Sequence, residues 1–246
     1  SIINPFYKYL KSLKEKQNCM KIAENQLIFF QKAGLEYLVR QPLPEIENPP
    51  LLLLMHGVGS NEHDMFSLAQ HLPDNFLIVS ARGPLTLGPN SFAWFQVSFA
   101  TGVPVINYTQ AENSRNTIIQ FIDFLKSQFR FDNEKIYVGG FSQGGIMSYS
   151  VGLTRPDLIK GIAVMSGRLL SEVKPQIAPA QELRNLNIYI SHGVSDNVLQ
   201  IDYARKANEY LTSIQLNPDY NEFAGGHTIT SEMLGSLIIW LKSLKH

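Results

Sequence analysis

Apolar positions along this chain follow two spacings. Continuous apolar runs at 51–55, 76–80, 136–139, 161–165 and 187–191 predict strands covered on both faces, because a strand with one wet face would alternate instead. Between them the period lengthens to that of a helix. Ile118, Ile122, Leu125 and Phe129 share one face of a helix starting near Gln110, and residues 145–154 continue helically until Arg155-Pro156. Residues 203–212 predict another helix, and Met233, Leu237, Trp240 and Leu241 recur within 229–244. Two strands at 26–30 and 35–40, joined across Ala33-Gly34, form a hairpin near the start, and 220–224 is the last strand of eight. Alternation of strand and helix predicts an α/β fold, with a mostly parallel sheet and helices on both faces.

One junction in this pattern carries chemistry. Residues 139–145 read Gly-Gly-Phe-Ser-Gln-Gly-Gly, which sets Ser142 between the end of the apolar run 136–139, the fifth strand, and the start of a helix. A strand that turns abruptly into a helix strains its turning residue and holds that side chain clear at the helix amino terminus. Gly140 and Gly144 leave room for the chain to fold back on itself. A serine hydroxyl is a poor nucleophile at neutral pH, so it needs a base within hydrogen-bond reach and a group to orient that base.

Three histidines follow Ser142: His192, His227 and His246. His227 lies between the last strand and the last helix, after two glycines that allow the backbone to curve, and is the expected base. His192, at a strand end before Gly193, suits packing. Among the later acids Asp157, Asp196, Asp202 and Asp219, Asp196 directly follows the seventh strand and is the expected orienting carboxylate. Asp202 suits the cap of the helix after it. The N–H groups of Gln143 and of Val58, in the turn His56-Gly57-Val58-Gly59, are the expected donors to a developing oxyanion. Trp94 and Phe95, in the loop 83–108, are the expected walls of a substrate pocket.

Composition narrows the classes of partner. Lys plus Arg and Asp plus Glu both number 21, so no global charge attracts nucleic acid. Hydrophobic residues at 44% and charged residues at 17% allow a large core. Cys19 is the only cysteine, which excludes an intrachain disulfide and fits a reducing, cytoplasmic compartment. No apolar run approaches the roughly 20 residues of a membrane-spanning helix. His56, His63, Asp64 and His71 lack the tight spacing of metal ligands, so neither a metal nor another cofactor is expected. Residues 1–25 read as a helical extension in which Phe6, Leu10, Leu13 and Met20 recur among Lys8, Lys11, Lys14 and Lys16. That pattern suits docking on the 26–246 domain, or weak contact with a membrane surface.

Eight strands with a serine elbow after the fifth resemble the α/β-hydrolase fold. Residues 53–59, the elbow 140–145, the acid segment 191–196 and Gly225-Gly226-His227 resemble the phospholipase/carboxylesterase family, in which acyl-protein thioesterases and small bacterial carboxylesterases fall. Glu62 and Asp64, behind the oxyanion turn, resemble the bacterial members more. The resemblance implies cofactor-free hydrolysis of small or medium acyl esters through Ser142, His227 and Asp196. Thioester or lysophospholipid hydrolysis is the second enzyme reading, and a hydrolase fold that only binds a ligand is the reading from another class. The short stretch 167–186 leaves no room for a cap domain, and oligomeric state is not legible.

Overall fold

The computed structural model describes residues 26–29, 35–43, 46–98, 100 and 105–244. The extension 1–25, its membrane contact and the Ala33-Gly34 turn lie outside the described residues. In chain order come β1 (Gln26–Phe29), β2 (Tyr37–Arg40), β3 (Leu51–Met55), a short helix α1 (Glu62–Phe66) and β4 (Leu77–Ala81). Two small hairpins follow, β5 (Leu85–Gly88) with β6 (Ser91–Ala93) and β7 (Val97–Ser98) with β8 (Val105–Ile106). Then come α2 (Tyr108–Gln128), β9 (Ile136–Phe141), α3 (Gln143–Thr154), β10 (Gly161–Met165), α4 (Ala180–Leu183), β11 (Asn187–Gly193), α5 (Asp202–Ser213), β12 (Asp219–Phe223) and α6 (Ser231–Ser243).

The main sheet has eight strands in the order β1-β2-β4-β3-β9-β10-β11-β12. Pairings from β4 through β12 are parallel, while β1–β2 and β2–β4 are antiparallel. The apolar runs become central strands because both faces are covered: every residue of β3, β4 and β10 is buried. On one face Ile118, Phe121 and Leu125 of α2, Met147 and Tyr149 of α3, and Ala204 and Leu211 of α5 join Leu53, Val79 and Val164 in a single core. On the other, Met65 of α1 and Leu237, Trp240 and Leu241 of α6 cover Leu52, Ile78 and Tyr189. Such a fully buried aliphatic side chain contributes about 1.5–3 kcal/mol relative to an exposed one.

Three details differ from the sequence reading. The stretch 83–108 is not plain loop but carries both small hairpins, whose short strands have too few buried positions to show a period. Helix α2 begins two residues early, because the Asn107 side chain accepts the Gln110 N–H as a cap. Asp202 is not the cap of α5 but its first residue, with Ile201 in the cap position. Stretch 167–186 carries only a 3-10 turn at Lys174–Gln176 and the four residues of α4.

Candidate active site

Helix α3 is the pivot of the site. Its residues Gln143–Leu153 are all buried, and it enters the fold directly from β9 through Ser142, whose φ of 55° and ψ of −115° no ordinary strand or helix allows. The turn is tight enough that a Cβ on Gly144 would stand 1.9 Å from the Met55 carbonyl oxygen, and one on Gly140 2.3 Å from the Gly144 carbonyl carbon. Backbone bonds brace it on both sides: the Ser142 N–H donates to the Met165 carbonyl at 2.9 Å, and the Ser142 carbonyl accepts the Ile146 N–H at 3.0 Å.

The structure brings Ser142, His227 and Asp196 together at the carboxyl edge of the sheet. His227 Nε2 lies 2.9 Å from Ser142 Oγ, and its Nδ1 lies 2.7 Å from Asp196 Oδ2. Because a carboxylate only accepts, Nδ1 carries the ring proton and Nε2 is free to accept from the hydroxyl. The loops that carry the acid and the base are themselves joined, with the Ser195 N–H donating to the Gly225 carbonyl at 2.9 Å. Phe141 packs against the imidazole at 4.8 Å between ring centroids. Asp157 and Asp219 are placed elsewhere: Asp157 pairs with Arg155 at 2.8 Å, and Asp219 accepts from Asn221 Nδ2 at 2.8 Å.

Asp196 is more heavily held than the sequence reading anticipates. Its Oδ1 accepts the N–H groups of Val198 at 2.9 Å and Leu199 at 2.8 Å. The buried His192 ring approaches the other oxygen, with Nε2 3.3 Å from Asp196 Oδ2 and 2.6 Å from the Leu199 carbonyl it donates to. Burial lowers the His192 pKa, so the ring is neutral, and its Nδ1 has no partner among the described residues. Packing describes its burial but not this contact with the acid. The four-residue spacing of His192 and Asp196 is the only sequence signal for it.

The turn at 56–59, the expected oxyanion site, is tied down from behind. His56 Nδ1 donates to the Gly57 carbonyl at 2.7 Å, and His56 Nε2 accepts the Gly83 N–H at 2.8 Å. Acceptance at Nε2 requires a neutral ring, and burial accordingly lowers the His56 pKa. The Trp94 indole N–H donates to the His56 carbonyl at 3.0 Å. Val58 and Gln143, the expected oxyanion donors, both have backbone N–H groups with no acceptor among the described residues. The Gln143 side chain accepts the Trp94 N–H at 3.0 Å and donates to the Phe95 carbonyl at 2.7 Å.

These bonds give Trp94 and Phe95 a different place from the one expected. Both side chains are fully buried and offer no surface to a substrate. They anchor the 91–95 segment to the elbow and the turn at 56–59, in which Val58 stands half exposed. Behind the turn, burial alone would raise the Glu62 carboxyl, but the fork of Arg82, at 2.7 and 2.6 Å, holds it below the usual carboxylate range. Arg82 also pairs with Glu36 and stacks on Phe92 at 4.4 Å. His63 and His71 stand at the surface while His56 is enclosed, and no cluster of three or more metal-ligating side chains occurs among the described residues.

An eight-stranded sheet of this order, with a serine at a strand-to-helix elbow and a histidine after the last strand, defines an α/β-hydrolase fold. A carboxylesterase from Mesorhizobium loti shares it at a TM-score of 0.76 with 19% identity, over 89% of this chain and 100% of that one. The esterase PE8 shares it at 0.72 with 22% identity, over 84% and 97%. A family model described as Phospholipase/Carboxylesterase matches residues 43–245, and the chain belongs to that family of ester hydrolases. Acyl-protein thioesterase 1 of Mycosarcoma maydis is 26% identical over 214 residues, 77% of this chain and 87% of that protein. A probable carboxylesterase of Oryza sativa subsp. japonica is 36% identical over 113 residues, 45% of this chain and 42% of that protein, so that match spans under half of either.

Proposed function

We propose that the protein is a serine carboxylesterase acting on small or medium acyl esters, with the site carried by one domain of residues 26–246. The observation that carries this reading is the unbroken chain Ser142 Oγ, His227, Asp196, at 2.9 and 2.7 Å, starting from a strained serine at the head of a buried helix. As Ser142 Oγ attacks the ester carbonyl carbon, its proton passes to His227 Nε2. Asp196 fixes the tautomer and stabilises the imidazolium. The carbonyl oxygen gains the negative charge and takes hydrogen bonds from the Val58 and Gln143 N–H groups.

Collapse of the tetrahedral intermediate breaks the bond to the alcohol oxygen, which leaves with the proton from His227. Water then attacks the acyl-serine, giving its proton to His227, and the carboxylic acid departs as Ser142 regains its own. No step calls for a cofactor. A reducing, cytoplasmic setting accords with the single cysteine, and among the described residues no helix is long and apolar enough to cross a membrane.

The test is covalent labelling with a fluorophosphonate together with hydrolysis of p-nitrophenyl acetate. Wild-type protein should do both and Ser142→Ala neither; hydrolysis undiminished in that variant would overturn the assignment. The acyl-protein thioesterases among the relatives favour a second reading, an acyl-thioesterase or lysophospholipase, which gains if palmitoyl-thioester or lysolipid turnover exceeds that of short aryl esters. A protein that only binds a ligand in the same fold would leave the probe unreacted.

A further inference from the structure

A cleft of about 250 Å³ flanks the catalytic edge where the segment after β10 meets α5. Arg168, Lys174 and Lys206 line it together with Ser171 and Tyr203, and no Asp or Glu does. Among the described residues none of the three cations forms a salt bridge. Two are held in place by aromatic faces instead: the Arg168 guanidinium lies 5.1 Å over Tyr203 and the Lys174 ammonium 4.3 Å over Tyr210.

The acids nearby are otherwise engaged. The Glu172 carboxylate accepts the Tyr108 hydroxyl while sensing Arg168 through space, and Asp202 faces Arg205 at 4.0 Å. Three like charges around one small concavity repel one another and raise the local concentration of anions. Lys206 also lies in the first turns of α5, a twelve-residue helix whose amino-terminal N–H groups add to the positive field.

Position connects this cleft with the serine. Arg168 is the third residue after Met165, whose carbonyl accepts the Ser142 N–H, so its backbone lies within roughly 10 Å of chain from that contact. The opposite wall belongs to α5, which follows the loop carrying Asp196. The segment that lines one wall of the cleft thus leaves β10, the strand next to the β9 strand that leads into Ser142. The Tyr203 and Ser171 hydroxyls in the cleft's lining suit an oxyanion that both charges and hydrogen bonds can grip.

We propose that Arg168, Lys174 and Lys206 form a subsite for an anionic group, a phosphate or carboxylate, carried on the ester substrate away from the scissile bond. This rests on the esterase reading and deepens it, by making anion-bearing esters the preferred class.

The test compares kcat/KM for matched pairs. The acyl-side arm uses mono-p-nitrophenyl adipate against p-nitrophenyl hexanoate, and the alcohol-side arm uses monooctanoylglycerol phosphate against monooctanoylglycerol. The anionic member should win by about tenfold or more in at least one arm, which identifies the source of the anion. That ratio should shrink as salt is added and fall to about one in Lys174→Glu with Lys206→Glu, whereas Lys242→Glu on α6 should leave it unchanged. A ratio near one in both arms, or one that survives the double reversal, overturns the proposal.

If wild-type protein hydrolyses no ester at all, the esterase reading fails by itself. The subsite is then decided by calorimetric titration with inorganic pyrophosphate: saturable binding that the double reversal abolishes supports it, and no binding overturns it.

Discussion

Ser142 and Ser166 end neighbouring parallel strands, β9 and β10, and both sit in the left-handed region, with φ of 55° and 48°. Each gives its backbone N–H to the next strand along, Ser142 to Met165 and Ser166 to Ser191. Their side chains differ. The Ser142 hydroxyl meets an imidazole backed by a carboxylate, whereas the Ser166 hydroxyl is wholly buried and has no partner among the described residues. Backbone strain is therefore common to both turns and cannot by itself mark a nucleophile. What separates them is the helix that departs from Ser142 and the two loops that bring His227 and Asp196 over it.

The sharpest way to break this comparison is to remove each hydroxyl. Ser142→Ala should lose on the order of 10⁶ in turnover if the three residues act as a unit. Ser166→Ala should stay within about tenfold of wild type, because the atom it deletes supports nothing the reaction uses. Equal damage from the two, in proteins with matching circular dichroism, would show that the turns share a function. Next in size comes Gly144→Ala, whose added methyl has no room against the Met55 carbonyl. It should destabilise the protein by about 3 kcal/mol in urea unfolding, and a wild-type midpoint would mean the elbow is looser than it stands here.

His192 tests how far the difference depends on the acid. His192→Leu should lower kcat by about 10–100-fold with little change in KM, since the Leu199 carbonyl loses its donor and Asp196 Oδ2 loses the ring edge that stands 3.3 Å from it. His192→Gln, whose side-chain N–H reaches a similar place, should restore part of that loss. Identical kcat values for the two variants would assign the ring to packing alone.

The smallest expected effect is on stability against pH. His56 and His192 are both lowered by burial, so the unfolded chain binds protons that the folded one refuses. Their contribution is fully present above the ordinary histidine value of about 6.5 and is lost as pH falls from there towards the folded values. The urea midpoint should accordingly drop between pH 7.5 and pH 5, and less so in His192→Gln; a midpoint flat across that range would count against neutral buried rings.

Strands β3, β4 and β10 were legible because burial on both faces leaves an unbroken apolar run, which a half-wet strand does not. Ser142, Asp196 and His227, which the structure brings within hydrogen-bond distance, could be chosen because glycine spacing and chain order restrict where such groups fit. Trp94 and Phe95 could not be placed from the sequence. An aromatic pair in a long loop fits a pocket wall as well as an interior tie, and only the bonds to Gln143 and His56 decide between them. For His192 the sequence shows the burial, which follows from the strand pattern, but not the direction of its ring, which depends on the Leu199 carbonyl that the chain reaches only after a turn. The hairpins within 83–108 are too short for any period to appear.

The clasp between Gln143 and the 91–95 segment joins residues 49 and 48 positions apart. Its consequence concerns the order of assembly. A folding intermediate could have the central strands paired and the serine, histidine and aspartate in register, yet lack a seated oxyanion turn until the earlier segment closes over the elbow. Acquisition of fluorophosphonate reactivity during refolding would then lag behind the recovery of sheet and helix, making the serine a chemical clock for the last stage of folding.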